Sequence, residues 1–106
     1  MRRALLVITL LTMSLGAQAG ELIRDGLIAE IGNTYANGND FTIKVEGGIG
    51  LCNTWVVFPE SKAGSPANHE QAFQIALAAA TNNKKVRIHN FENSSCEGAN
   101  FISLTQ

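Results

Sequence analysis

The sequence has few of the residues that carry chemistry. Its 106 residues include two histidines, two cysteines, one tryptophan and one tyrosine. Two thiols without a nearby cluster of histidines make a poor metal site, so we predict none. His69 and His89 belong to no recognisable local Ser, His and Asp motif, and the glutamates lack the spacing of a glycosidase pair. We therefore predict that the protein is not an enzyme and needs no cofactor.

No apolar run is long enough for a membrane span. Ala4–Leu15 is mainly apolar, follows two arginines and is shorter than the roughly 20 residues that a transmembrane helix needs. Ala17–Ala19 then supplies the small-x-small pattern of a signal peptidase site. We predict a signal peptide over residues 1–19, cleaved after Ala19, and one mature domain over 20–106 that is secreted or periplasmic. A short membrane anchor is the alternative for the leader.

Positive charge is scarce once this leader is removed. The remaining chain has six lysines and arginines and nine aspartates and glutamates, which gives a net charge of −3. A protein that binds nucleic acid normally carries the opposite sign. The basic run of Lys84, Lys85 and Arg87 is too short to change this balance. We therefore predict no nucleic-acid partner, and we interpret the run as the solvated face of a strand.

Cysteine is limited to Cys52 and Cys96, and both lie in the predicted mature domain. In an exported chain an even number of cysteines predicts a disulfide, and only one intramolecular pairing is possible here. Closing a loop of about 45 residues stabilises a fold by roughly 4 kcal/mol in the chain-entropy model. A domain of this size has a small core, and small cores usually need such a link.

Alternating apolar and polar residues predict strands on both sides of a single helix. The predicted strands lie within residues 26–40, 41–47, 53–59, 84–91 and 100–105, and the predicted helix covers residues 67–83. The fold is therefore mainly β with one helix, in the order β-β-β-α-β-β. This is the order of the five-stranded Greek-key barrel called the OB-fold. An α+β sandwich with the same order is the alternative.

The helix has two predicted starts and two predicted faces. It begins either at Ser65 before Pro66, or with a capping box formed by Asn68 and Gln71. The apolar positions at helical spacing predict a core stripe of Phe73, Ala76, Leu77 and Ala80. The opposite side carries Gln71, Gln74, Ile75 and Ala78. This uncharged side suits a subunit interface, although alanine is also simply a good helix former.

A small set of aromatic residues could offer a surface for a ligand. OB-folds bind oligonucleotides or oligosaccharides on one face of the barrel and its flanking loops. The candidates for stacking are Tyr35, Trp55, Phe58 and Phe91. Packing in the core or at its rim is the alternative for each of them.

Three stretches resemble a known family. "RDGLIAEI" at the first strand, "VEG" at the end of the second and "QIALAAATNNKKVRI" are similar to the B subunits of AB5 toxins, especially the subtilase-cytotoxin and pertussis-like types. The resemblance implies an exported OB-fold with one disulfide that assembles as a homo-pentamer, binds cell-surface glycans and serves a secreted catalytic subunit. The chain also resembles small exported bacterial proteins without an assigned activity.

The resemblance does not extend to the sugar contacts. Ala29 stands where the subtilase-type subunit has a serine that contacts sialic acid, and Asn90 stands where it has a tyrosine. A glycan site would therefore use other groups, and our candidates are Asp25, Glu30, Tyr35, His89 and Asn90. We expect a secreted, non-enzymatic glycan-binding module. The alternative is a stand-alone exported protein-interaction or inhibitor domain without a toxin partner.

Overall fold

Five strands and one long helix make up the part of the chain that the computed structural model describes, which is residues 20–33, 36 and 38–105. The predicted leader and Tyr35 lie outside these residues. The elements are β1 (Glu21–Gly32), β2 (Phe41–Glu46), β3 (Trp55–Phe58), a 3-10 turn (Glu60–Lys62), α1 (Pro66–Thr81), β4 (Lys85–His89) and β5 (Phe101–Thr105). The predicted order is confirmed. No helix in the described residues is long and apolar enough to cross a bilayer.

The strands form because their side chains alternate between the core and the solvent. In β2 the side chains of Phe41, Ile43 and Val45 are buried, and those between them are half-buried. In β4 the buried residues are Val86 and Ile88. Each alternation gives the strand one apolar face, which the barrel interior covers.

All five strands belong to one antiparallel sheet in the order β3-β2-β1-β4-β5. β1 lies at the centre and pairs with both β2 and β4. It begins at Glu21, five residues before the predicted start, because Leu22 and Ile23 are buried in the core. Irregular pairing along β1 accompanies the left-handed backbone of Asp25, whose φ is 59°. Such bulges bend a strand and increase its twist.

The two ends of the sheet meet and turn it into a barrel. The amide of Val57 in β3 donates to the carbonyl of Cys96 at 2.9 Å, and the amide of Ala99 donates to the carbonyl of Val57 at 3.0 Å. Cys52 and Cys96 form the predicted disulfide beside this seam. The strand order and this partial closure are those of an OB-fold.

The glycine-rich segment after β2, residues 47–50, is held against β1. Arg24 and Ile49 exchange two backbone hydrogen bonds, of 2.7 and 2.9 Å, and the amide of Cys52 donates to Leu22 at 2.9 Å. A methyl group at Gly50 would collide with the carbonyl oxygen of Leu22, and the φ of Gly50 is 153°. Only glycine lets the two backbones approach this closely.

The helix begins at the first of its two predicted starts. The hydroxyl of Ser65 accepts the amide of Asn68 at 3.1 Å, and a proline occupies the first turn. Three helix residues are buried: His69, Ala76 and Ala79.

The predicted core stripe of the helix is partly wrong. Leu77 is 43% exposed, whereas Ile75, which we had placed on the outer side, packs against the core. The buried line runs through Ala76 and Ala79, and the small alanine side chains let the helix approach the strands closely. A leucine at the centre of that line would hold the helix away, so Leu77 lies at its edge.

Replacing both Cys52 and Cys96 with alanine should lower the free energy of unfolding by about 4 kcal/mol, because the 45-residue loop is no longer closed in the unfolded chain. Alanine is chosen because Cys52 is buried and a serine hydroxyl there would add its own desolvation cost. Urea unfolding of the oxidised protein, the reduced protein and the variant provides the measurement. A loss below about 1 kcal/mol would show that the backbone seam alone closes the barrel.

Candidate functional site

A row of side chains on the outer face of β1, β4 and β5 forms the candidate site. Glu21 of β1 lies opposite His89 of β4, and His89 lies opposite Phe101 of β5. Residues that are opposite each other in antiparallel strands point to the same face. Phe91 is the second residue after the end of β4. We call His89, Phe91 and Phe101 the aromatic surface.

The three rings of the aromatic surface support one another. The rings of His89 and Phe91 are stacked, with centroids 5.3 Å apart and planes 19° apart. Phe101 meets both of them edge-on, at 5.6 Å from His89 and 5.5 Å from Phe91. Phe91 is nevertheless 69% exposed. One face of a large apolar ring is therefore open to solvent while its position is fixed by its neighbours.

Charged groups surround the aromatic surface. The guanidinium of Arg24 donates two hydrogen bonds to one carboxylate oxygen of Glu21, at 3.0 and 3.2 Å. The same oxygen lies 3.6 Å from Nε2 of His89. Arg87 lies 5.6 Å from the centre of the Phe101 ring. The rim thus offers both donors and an acceptor beside an apolar face.

Asn90, one of our predicted ligand residues, is used inside the protein. Its side chain is 2% exposed. Its amide nitrogen donates to Asn93 at 2.8 Å and to the carbonyl of Ser95 at 3.0 Å, and its oxygen accepts the amides of Glu92 and Asn93. Asn90 therefore shapes the loop between β4 and β5, as an asparagine often does when it bonds to the backbone just after it. This loop and Gly20 enclose a shallow recess of about 220 Å³ beside Phe91.

The other predicted residues are not brought together. Glu30 pairs with Lys44 at one end of β1, whereas His89 pairs with Glu21 at the other end. Nine residues of strand separate Glu21 from Glu30, which is up to about 30 Å. Asp25 is exposed at the bulge between them. Among the predicted residues that the structure describes, only His89 has its side chain on the aromatic surface.

Sequence reasoning did not identify Glu21, Arg24 and Phe101 as residues of the site. The predicted aromatic residues also differ from one another in their exposure to solvent. Glu21 and Arg24 were missed because β1 was predicted to start after them. Phe101 was assigned to a strand face without a known neighbour. Phe58 is buried and stacks on Phe41, so it cannot take a ligand.

Trp55 is half-exposed on a different face, where Lys44 lies 6.0 Å from its ring centre. It therefore does not extend the aromatic surface.

His69 is a core residue, although it lies in the first turn of α1. It is 8% exposed, and its Nε2 lies 2.8 Å from the carbonyl oxygen of Phe58. Within the described residues, no three of His, Cys, Asp or Glu lie close enough together to hold a metal ion.

The fold and this surface define an OB-fold with an exposed aromatic patch between charged groups. A family described as a family of unknown function (DUF5992) matches residues 3–106, and the chain belongs to that family. No curated protein matches the chain, and no solved structure does.

Replacing Asn90 with alanine should lower the free energy of unfolding by about 2–3 kcal/mol, because the amides of Glu92 and Asn93 and the carbonyl of Ser95 lose the hydrogen bonds that hold the loop. Ser94→Ala is the matched control in the same loop, since Ser94 is exposed, and we expect a change within about 0.5 kcal/mol. Urea unfolding measures both. If Asn90→Ala is as stable as Ser94→Ala, the loop does not depend on this side chain.

Proposed function

We propose that this protein is an exported, non-enzymatic binding module that takes a carbohydrate on the aromatic surface. The observation that carries the proposal is the open ring of Phe91, 69% exposed and stacked on His89. The exposed apolar surface of this ring is unfavourable in water, and a ligand that covers the ring gains the free energy of removing that surface from water.

The electrostatics of the ring favour the C–H face of a sugar. The face of an aromatic ring carries partial negative charge, and the C–H groups of a pyranose ring carry partial positive charge. The flat contact requires a ring that does not rotate away, and the stacking on His89 with the edge contact to Phe101 supplies this support. OB-folds also bind oligosaccharides as a class.

The charged rim supplies hydrogen bonds for hydroxyl groups. Arg24 and Arg87 donate, and the Glu21 carboxylate accepts. Hydrogen bonds to charged groups are stronger than those between neutral groups. The rim therefore favours a ligand that is rich in hydroxyls over one that is wholly apolar.

We also propose export and assembly. The leader pattern and the disulfide both suit an oxidising compartment outside the cytoplasm. One exposed ring gives a weak site, and a homo-pentamer raises the overall affinity through multivalency. The exposed side of α1, with Gln71, Gln74 and Ala78, is the face we assign to neighbouring subunits. A secreted catalytic subunit would be a further partner of such a ring.

Phe91→Ala should weaken sugar binding about tenfold or more, because it removes the exposed ring and leaves the core intact. A glycan array with the mature protein identifies a binding glycan, and calorimetry with that glycan gives the affinity of each variant.

Trp55→Ala is the matched control, since it removes an exposed aromatic ring from another face. A loss with Trp55→Ala but not with Phe91→Ala would move the site to the other face. An array without signal for the wild type would reject the glycan proposal.

A second candidate function rests on two exposed aliphatic side chains. Ile49 and Leu51 are largely exposed on the glycine-rich segment that β1 holds in place. Apolar side chains on a backbone that is already held in place gain from being covered by a partner, and little chain ordering is needed when they bind. We infer that an exported interaction or inhibitor domain would use them.

A photo-crosslinking amino acid at position 49 should trap one protein partner in cells that export the protein. The same amino acid at the exposed Glu97 is the control and should trap none. The same products from both positions, or none from position 49, would contradict this function.

A further inference from the structure

A recess between α1 and the start of β2 differs from the aromatic surface in shape and charge. It has a volume of about 350 Å³, which is within the range of small-molecule sites. Its apolar walls are Ile31, Phe41, Phe73 and Leu77. The described residues that line the recess do not include any residue of the aromatic surface.

The walls combine fixed rings with an aliphatic edge. Phe41 is buried, and the ring of Phe73 meets it edge-on at 5.3 Å. Leu77 completes the wall from the helix and is 43% exposed. The side chain of Leu77 is not buried in the core, and a ligand in the recess would cover this side chain. The recess is therefore suited to an apolar body such as a single ring.

Two carboxylates give the recess a negative charge. Asp40 uses one oxygen to accept the amide of Glu60 at 2.9 Å, and Glu70 uses one oxygen to accept the side chain of Gln74 at 3.0 Å. The second oxygen of each carboxylate accepts no hydrogen bond from the described residues. In that part of the chain, no lysine or arginine lines the recess or pairs with either carboxylate.

His69 adds an acceptor to the same recess. A carbonyl oxygen only accepts hydrogen bonds, so Nε2 of His69 must donate its proton to Phe58, 2.8 Å away. In the neutral ring Nδ1 is then an acceptor, and no described residue donates to it. The amides of Asn33 and Asn39 in the lining can donate as well as accept, and the charged side chains among the described lining residues are both acidic.

We propose that this recess binds a small organic ammonium ion, with its apolar body against Phe73 and Leu77 and its N–H groups toward the carboxylates. A cation satisfies unpaired acceptors and is also attracted to aromatic faces. An anion would be repelled by the two carboxylates, and a neutral ligand would gain no attraction from their charge. This site is independent of the sugar site proposed above.

The test uses the mature, disulfide-bonded protein and three probes of one shape: benzylamine, benzyl alcohol and benzoate. Amide NMR shifts should report saturable benzylamine binding at Phe41, Glu70 and Phe73. Benzyl alcohol should bind about fivefold or more weakly, and benzoate should not saturate. Absent benzylamine binding, or equal affinity for benzylamine and benzyl alcohol, would overturn the proposal.

Two kinds of variant separate charge from fold. Asp40→Asn and Glu70→Gln keep an acceptor for the hydrogen bonds within the protein, and each should reduce the benzylamine affinity severalfold. Leu77→Lys places a cation at the edge of the recess and should abolish binding, whereas the matched Leu77→Gln should only weaken it. Benzylamine binding to Leu77→Lys at the wild-type level would overturn the proposal.

Discussion

The seam between β3 and the chain entering β5 holds the two ends of the sheet together. Two backbone hydrogen bonds to Val57 and the Cys52–Cys96 disulfide lie side by side there. The loop after β4, which carries Phe91, ends at this seam and keeps its shape through Asn90. Closure of the barrel therefore adds a further point of attachment to this loop, whose two ends are already held side by side by the pairing of β4 with β5.

Local patterns were sufficient for most of the secondary structure. The alternation in β2 and β4, the Ser65 cap and the pairing of the two cysteines follow from near neighbours or from simple counting, and all were predictable. The early start of β1 was not, because Leu22 and Ile23 follow a leader that is itself apolar. The sequence also did not show which side of α1 faces the core, since alanine is a good helix former on either side.

The candidate site was harder to predict than the fold because it is assembled across strands. His89 was identified as an outward residue, but its neighbours depend on a register between β1 and β4 that no local motif specifies. Asn90 was predicted as a ligand residue because sequence gives no information on whether an amide faces solvent or its own loop. Only the hydrogen bonds distinguish these two roles.

The central place of β1 affects how the chain reaches its native state. Glu21 in β1 pairs with His89, which is 68 residues further along the chain, whereas the other edge of β1 pairs with β2, the next strand in the sequence. Pairings over such distances slow folding, since chain entropy is lost before the contact forms. A polypeptide of this topology cannot complete the pairing of its central strand until its distal strands have been synthesised.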